Sequence, residues 1–450
     1  MRTNSVNNIV NRETDEAELL KKGVWLYFLL VIFEGALRKW VLPGLATPLL
    51  IIRDPVAIWL IYKLWDKGIF PSSIYIKAMI VISIISILTA LLFGHGNFLV
   101  AMFGARVFLI HFPMIFVIGK VFDREDVIKL GRVTLWLSIP MVVLIALQFY
   151  SPQSALVNRG IGGDEAGGGF SGAMGFFRPP ATFSFTNGTH LFFGFVGCYL
   201  FYFWLAGKGV NKLILYASTV ALVAAIPLSI SRSLTFFLAV ALMFVLLSVI
   251  RKPSNLIKMV FAGAGFVLVL YFMTKISFFQ TATDAFLARF SNAADSEGGL
   301  EGTLGDRYLG GMTSALSGSV ERPFFGYGIG MGTNVGSMLL TGGRTFLISE
   351  EEWGRVIGEM GAILGLSVIF LRLSLCFKLL IEAYKKMVHD DLLPWMLFSF
   401  TILVVPQGQW AQPTNLGFSI VSGGLVLSAM RKRLIPQKVK KLAVLDSSSL

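Results

Sequence analysis

The sequence is poor in charged residues and in cysteine. Of its 450 residues only 14% are Asp, Glu, Lys or Arg, whereas a soluble domain carries about 25%. A soluble protein of this length would need about two to three domains with polar surfaces, which this composition cannot supply. The two cysteines, Cys198 and Cys376, lie in apolar stretches, which argues against a disulfide framework and a cysteine-based zinc site.

Histidine is scarce as well, and no catalytic or metal-binding motif is recognisable. None of the histidines has a metal-ligand spacing such as HExxH. The glycine-rich run at 326–332 lacks the strand–turn–helix context of a dinucleotide site. We therefore expect neither a metal nor an organic cofactor. The histidines are His95, His111, His190 and His389.

Long apolar runs, by contrast, are abundant. Hydrophobic residues make up 55% of the chain, and its mean hydropathy is +0.72. A transmembrane helix needs ~20 mainly apolar residues, and about twelve segments meet this requirement. The sequence therefore predicts an all-α polytopic membrane protein with about twelve transmembrane helices. The segments are 23–42, 45–64, 72–93, 98–119, 128–149, 188–206, 211–229, 233–250, 256–274, 354–380, 392–407 and 413–430.

The distribution of lysine and arginine predicts the orientation. With residues 1–22 in the cytoplasm, every short basic loop falls on the cytoplasmic side, as the positive-inside rule requires. An even number of spans also places the basic tail 431–450 in the cytoplasm. The net charge of +13 then reflects topology and not a nucleic-acid partner. The polar residues 1–22 and the absence of a small-residue cleavage site predict no cleavable signal peptide.

Two long segments then lie outside the membrane. Residues 151–187 connect the fifth and sixth of the first nine spans, which together cover 23–274, and they are rich in glycine. Residues 275–353 precede the last three spans at 354–430 and carry many aromatic residues, which favours an ordered, partly helical loop. This loop has nine acidic against five basic residues, so it is no nucleic-acid patch.

Ionisable side chains in the predicted spans cluster towards the outer face. Such residues are costly in a bilayer and are candidates for function. Unrelated structural ion pairs would scatter in depth, so we interpret the group as the lining of an outward-facing polar cavity. Structural ion pairs are the alternative. The group comprises Glu34, Arg38, Arg53, Asp54, Arg106, Arg232, Arg355 and Glu359.

The chemistry of these side chains favours a phosphorylated ligand. External bases are mostly arginine, and guanidinium groups bind phosphate in a bidentate manner at any working pH. The alternative is that arginine tolerates burial better than lysine. Glu350, Glu351 and Glu352 could supply a general base for a sugar hydroxyl, or could simply favour a helix amino terminus through its dipole.

Five features, in this order, resemble the O-antigen polymerase and ligase superfamily, which acts on lipid-linked sugars. Each motif carries little information alone, but their order, the number of spans and the large loop between spans nine and ten make the combination more specific. The features are Arg106 in a span, Arg178–Phe183 before span six, Ser229–Ser233 between spans, Glu321–Gly330 in the large loop, and Glu359–Gly361 with Gly365 in span ten.

This resemblance implies a GT-C-like glycosyltransferase of the bacterial inner membrane. Such an enzyme transfers an undecaprenyl-pyrophosphate-linked glycan to an acceptor hydroxyl, with inversion and without a metal. A chain-length regulator or a flippase would be its protein partners. By analogy, Arg106, Arg232 and Arg307 would bind the pyrophosphate. The further substrate-binding candidates are Arg178, Arg322, Arg355 and Glu359.

One departure from the family pattern separates its two activities. Ligases typically carry a histidine in the large external loop, and residues 275–353 contain none. This favours a polymerase and leaves the glutamates at 350–352 as candidates for the base. A ligase of the same superfamily, a membrane transporter and a scaffold for polysaccharide assembly are the alternatives.

Overall fold

The computed structural model of the chain describes residues 2–250, 271, 275–297, 315–317, 323–343 and 347–431. The structure is 75% helical. Its first helices are α1 Arg2–Ala36, α2 Arg53–Asp66, α3 Ile74–Leu92, α4 Phe98–Arg106, α5 Phe112–Val121 and α6 Arg124–Tyr150. A two-stranded antiparallel ribbon follows, formed by β1 Phe170–Ser171 and β2 Phe177–Arg178.

The remaining helices follow this ribbon in the chain. They are α7 Asn187–Ala206, α8 Lys212–Leu228, α9 Arg232–Ile250, α10 Ser277–Glu297, α11 Asn334–Thr341, α12 Glu352–Val388, α13 Leu392–Val404 and α14 Pro413–Met430. Polar side chains accept hydrogen bonds from the first backbone amides of several helices and so fix where each begins. These caps are Ser73, Asn97, Asp123, Asn211, Thr333 and Asp391.

Within the described part of the chain, six helical segments are long and apolar enough to cross a membrane, which indicates a membrane-embedded protein. They are α3, α6, α7, α9, α12 and the continuous segment Phe98–Val121 that contains α4 and α5. The apolar helices α8 and α13 are shorter. The other predicted spans coincide at least in part with a helix, except 256–274, which lies outside the described residues apart from residue 271. The total of about twelve spans stays a prediction.

The predicted span 45–64 is wrong at its beginning. Its α-helix starts only at Arg53, and two short 3₁₀-helices precede it, at Pro43–Leu45 and Pro48–Ile51. Proline is favoured at the first position of a helix because its missing N–H needs no partner there. Pro43 and Pro48 therefore start new turns where the apolar composition alone predicts a continuous helix.

Two wide π-helical turns interrupt the regular helices near the cavity. One, Leu37–Val41, continues α1, and the other, Val107–His111, joins α4 to α5. Such turns change which side of a helix the following residues face, and they occur often at functional sites. The first turn contains Arg38, whose side chain reaches the cavity.

Helix α12 is broken at Gly361, where φ is 75° and ψ is 175°. The loop that precedes α11 lies against this break. The backbone amides of Tyr327 and Gly328 donate to the carbonyl oxygens of Gly358 and Glu359 at 2.8 and 2.9 Å, so carbonyls freed by the break are paired. A positive φ of this size favours glycine, and the break therefore depends on Gly361.

Helix α14 lies at the centre of the bundle and packs chiefly against α5 and α13. Small residues let it approach its neighbours closely. A β-carbon at Gly424 would come within 2.6 Å of Ile118. Nearer the beginning of α14, the rings of Phe195, Phe400 and Phe418 pack against one another. This core holds the first turn of α14 at the cavity wall.

Candidate functional site

A cavity of about 1220 Å³ lies where the beginnings of α7, α9, α12 and α14 meet. Typical small-molecule sites have volumes of about 300–1,000 Å³, so this cavity can hold a larger ligand. Its wall combines aromatic side chains with charged and amide groups. The aromatic residues are Phe103, Phe170, Phe185, Phe236, Phe290 and Trp353.

Four arginines line this cavity: Arg38, Arg178, Arg232 and Arg289. Arg38 is held by its Nε, which donates to the carbonyl oxygen of Ala46 at 2.7 Å, and by its Nη1, which donates to Ser184 Oγ at 2.9 Å. Arg289 Nη1 donates to the carbonyl oxygen of Gly172 at 3.0 Å. Three different parts of the fold thus bring these two guanidinium groups and their partners to one wall.

Arg178 and Arg232 are positioned by their local backbone. Arg178 belongs to β2, and its guanidinium carbon lies 5.9 Å from the ring centre of Phe170 on β1. Arg232 is the first residue of α9. The residue two positions earlier, Ile230, has φ of 47°, a strained conformation for a β-branched residue. This tight turn aims Arg232 into the cavity, beside the positive end of the helix dipole.

Three glutamates complete the charged lining, and their environments differ. Glu350 and Glu351 are exposed, whereas Glu352 is buried. Glu352 Oε1 accepts from Arg355 at 2.9 Å and from Arg372 at 2.6 Å. Its Oε2 accepts from Arg355 Nε and from the backbone amide of Trp410, both at 3.0 Å. Both oxygens of Glu352 are therefore occupied, and the carboxylates open to the cavity are those of the other two glutamates.

Arg355 and Glu359 lie beneath the cavity wall and do not line the cavity. Arg355 Nη1 donates to Glu359 Oε2 at 2.6 Å, and Glu359 Oε1 accepts from the backbone amide of Gly332 at 2.8 Å. This buried network joins α12 to the loop before α11. The contacts favour a positioning role for both residues over direct contact with a substrate.

Arg106 is also held in a buried ion pair. Its Nη1 donates to both oxygens of Asp54, at 2.8 and 2.9 Å. His111 Nε2 lies 2.9 Å from Asp54 Oδ1, and His111 Nδ1 lies 2.9 Å from Tyr27 Oη. Arg53 Nε lies 3.4 Å from Glu34. These contacts join α1, α2, α4 and the Val107–His111 turn.

The expectation of one polar cavity is therefore corrected for most of the outward ionisable group. Arg38 and Arg232 line the cavity. The others find partners of opposite charge, because a buried charge is costly unless it is paired. The members that form buried ion pairs outside the cavity lining are Glu34, Arg53, Asp54, Arg106, Arg355 and Glu359. Arg307 and Arg322 lie outside the described residues.

Several cavity residues were not singled out from the sequence as site residues. Arg289 and His190 are two of them, and the ring of His190 lies 5.8 Å from that of Phe237. The others are uncharged amides, and a signal for them exists, because 407–415 is rich in amide side chains between two apolar helices. These amides are Asn187, Gln407, Gln409, Gln412 and Asn415.

Comparison with known protein families and with curated proteins finds no match to this chain.

Proposed function

We propose that the protein is a polysaccharide polymerase of the bacterial inner membrane. It would transfer an undecaprenyl-pyrophosphate-linked glycan to a hydroxyl of an acceptor repeat unit, in the assembly of O-antigen or an exopolysaccharide. The observation that carries this proposal is the cavity of about 1220 Å³, whose wall combines four arginines, two exposed glutamates and aromatic side chains. The resemblance of the sequence to the O-antigen polymerase and ligase superfamily supports it.

The arginines suit the leaving group of this reaction. A pyrophosphate gains negative charge as the glycosidic bond breaks, and guanidinium groups aimed at that charge stabilise the transition state. Among the described arginines that the sequence singled out as ligands of the substrate, Arg178 and Arg232 are the strongest candidates, because both line the cavity and Arg106 and Arg355 do not. Arg106 would act from behind the wall, since Asp54 occupies its Nη1.

A carboxylate would accept the proton of the attacking hydroxyl. The acceptor oxygen bonds to the anomeric carbon of the donor, the bond from that carbon to the pyrophosphate breaks, and undecaprenyl pyrophosphate leaves. Glu350 or Glu351 takes the proton, because these carboxylates are exposed to the cavity. Glu352 instead fixes the beginning of α12 through its pairs with Arg355 and Arg372.

Electrophoresis of cell-surface glycan from a complemented deletion strain tests the polymerase. We expect the deletion to leave single repeat units, and Arg232→Ala to restore no long chains at normal membrane levels. Arg159→Ala is the matched control, because Arg159 pairs with Glu165 and does not line the cavity. Full polymer with Arg232→Ala would refute the role of this arginine. An unchanged glycan in the deletion strain would refute the polymerase and favour the transporter.

A ligase is the second candidate, and His190 is the observation that favours it. Residues 275–353 contain no histidine, but the start of α7 places His190 in the cavity wall. A histidine there could act as the base in a transfer to a different acceptor. In the same strain, long chains that accumulate without attachment to their acceptor would indicate a ligase.

A further inference from the structure

We propose that part of the cavity wall is a subsite for an uncharged acceptor sugar, formed by Asn187, Gln412 and Asn415 with the hydroxyl of Thr235. This inference rests on the proposed function, because it assigns the second substrate of the same reaction. All four residues line the cavity.

The three amides form one cluster from two helix beginnings. Asn187 is the first residue of α7, Gln412 immediately precedes α14, and Asn415 lies in the first turn of α14. Asn187 Nδ2 donates to Gln412 Oε1, and Asn415 Nδ2 donates to the same oxygen at 3.1 Å. With this oxygen occupied twice, the Nε2 group of Gln412 remains as a donor for a ligand.

Two polar atoms of this wall are buried without a hydrogen-bond partner in the described part of the chain. They are Asn187 Oδ1 and Thr235 Oγ1. Buried polar atoms in folded proteins are almost always paired, so an unpaired one calls for an explanation such as an absent ligand. Both residues line the same cavity, and α7 and α9 pack against each other there, with the ring centres of His190 and Phe237 5.8 Å apart. A single ligand can therefore reach both.

The type of these atoms selects the chemistry of the ligand. Asn187 Oδ1 can only accept a hydrogen bond, so its partner must donate one. An ionised phosphate or carboxylate has no hydrogen to donate, whereas a sugar hydroxyl both donates and accepts. Gln412 Nε2 is a donor, and Thr235 Oγ1 can act in both ways. The set therefore matches the hydroxyl groups of a sugar and does not match an anion.

The position of the amides connects them to the proposed reacting groups. Thr235 follows Arg232 by three residues on α9, so the two side chains lie on the same face of that helix. Gln412 is linked to Glu350 through Gln409, whose carbonyl oxygen accepts from the backbone amide of Gln412 at 3.0 Å and whose Nε2 donates to the carbonyl oxygen of Glu350 at 2.8 Å. A sugar held here would lie near both the proposed pyrophosphate site and the proposed base, as the acceptor requires.

The same neighbours indicate an uncharged sugar. The four residues of the subsite carry no charge, and the proposed function assigns the cavity arginines to the pyrophosphate, so the charged groups left to face the acceptor are the exposed carboxylates of Glu350 and Glu351. Like charges brought together oppose binding. A uronic acid would add a further carboxylate. Neutral hexoses and N-acetylhexosamines carry hydroxyl and amide groups without this repulsion, so they are the class of acceptor that we assign.

A glycan array tests the subsite with the full-length protein in detergent. The probes are neutral oligosaccharides and matched oligosaccharides that contain a uronic acid. We expect retention on the neutral set, with about fivefold higher half-saturating concentrations for Thr235→Val and Asn187→Ala, as the loss of one hydrogen bond predicts. Thr235→Ser keeps the hydroxyl and should bind as the wild type does. Gln153→Ala, outside the cavity lining, is the control.

Two results would overturn the subsite. One is equal or stronger retention on the uronic acid set, and the other is wild-type retention by both Thr235→Val and Asn187→Ala. Thr235→Val preserves the shape of the side chain, so it keeps the test valid if Asn187→Ala fails to fold. Binding of undecaprenyl pyrophosphate to wild type and Arg232→Gln is measured separately. Equal binding there would refute the pyrophosphate site and leave the sugar subsite standing.

Discussion

Substitution of Glu352 by glutamine separates a structural from a catalytic role for this residue. Its side chain is only 1% exposed, and those of Arg355 and Arg372 are 4% and 0% exposed. The neutral amide keeps the shape but leaves two buried guanidinium groups with less negative charge. Removal of one partner from a buried ion pair costs about 3–5 kcal/mol, and Arg355 retains Glu359. We therefore expect Glu352→Gln to lower the free energy of unfolding by about 3 kcal/mol.

Thermal unfolding in detergent measures this loss, with Glu350→Gln as the matched control. Glu350 is exposed, and its substitution should leave stability unchanged. We expect glycan transfer to be lost in Glu350→Gln or in a double variant with Glu351, in a protein of normal stability. A Glu352→Gln protein that keeps wild-type stability but has no transfer activity would refute the structural account and make Glu352 the catalytic carboxylate.

Three further predictions concern other parts of the fold. Gly361→Ala should lower stability and protein yield in the membrane. A β-carbon there would overlap the carbonyl oxygen of Phe324, and the φ of 75° at this position disfavours alanine. Wild-type yield and thermal stability of this variant would contradict the prediction. Burial alone would raise the pKa of Asp123, but a hydrogen bond from Lys21 at 3.0 Å and backbone amides lower it below its usual range. The stabilisation is therefore complete above about pH 4 and is lost as the pH falls through the lower native pKa, and a pH series of thermal unfolding on wild type and Asp123→Asn should show this loss only in the wild type. His190→Gln should leave repeat-unit polymerisation intact on electrophoresis if a glutamate is the base, whereas its loss in a stable protein would assign that role to the histidine.

The long apolar helices could be predicted from the sequence because a helix that crosses a membrane needs about 20 mainly apolar residues. Helices α3, α6 and α7 begin and end within a few residues of their predicted limits. The short 3₁₀-helices at 43–51 could not be predicted in this way. The composition of this segment is that of a span, but Pro43 and Pro48 divide it into short turns. Nor does hydropathy register the break at Gly361, which depends on a contact with a distant loop.

The candidate site was predictable only in part. Arg178 and Arg232 line the cavity, as do the glutamates at 350–352. The predicted depth in the membrane could not distinguish Arg232, which lines the cavity, from Arg106, which does not. Arg106 is paired with Asp54, which lies 52 residues earlier in the chain, and the sequence does not reveal this contact. The amide cluster around Gln412 carries no charge, so it does not stand out in an analysis based on charge and depth.

Reconstitution of the purified protein measures the proposed polymerase activity itself. Nanodiscs that contain the protein and an undecaprenyl-pyrophosphate-linked repeat unit are incubated, and the glycan is separated by electrophoresis. We expect chains longer than one repeat unit and release of undecaprenyl pyrophosphate with wild type and with Arg159→Ala, and neither product with Arg232→Ala. Single repeat units alone with the wild-type protein, or full chains with Arg232→Ala, would contradict this expectation.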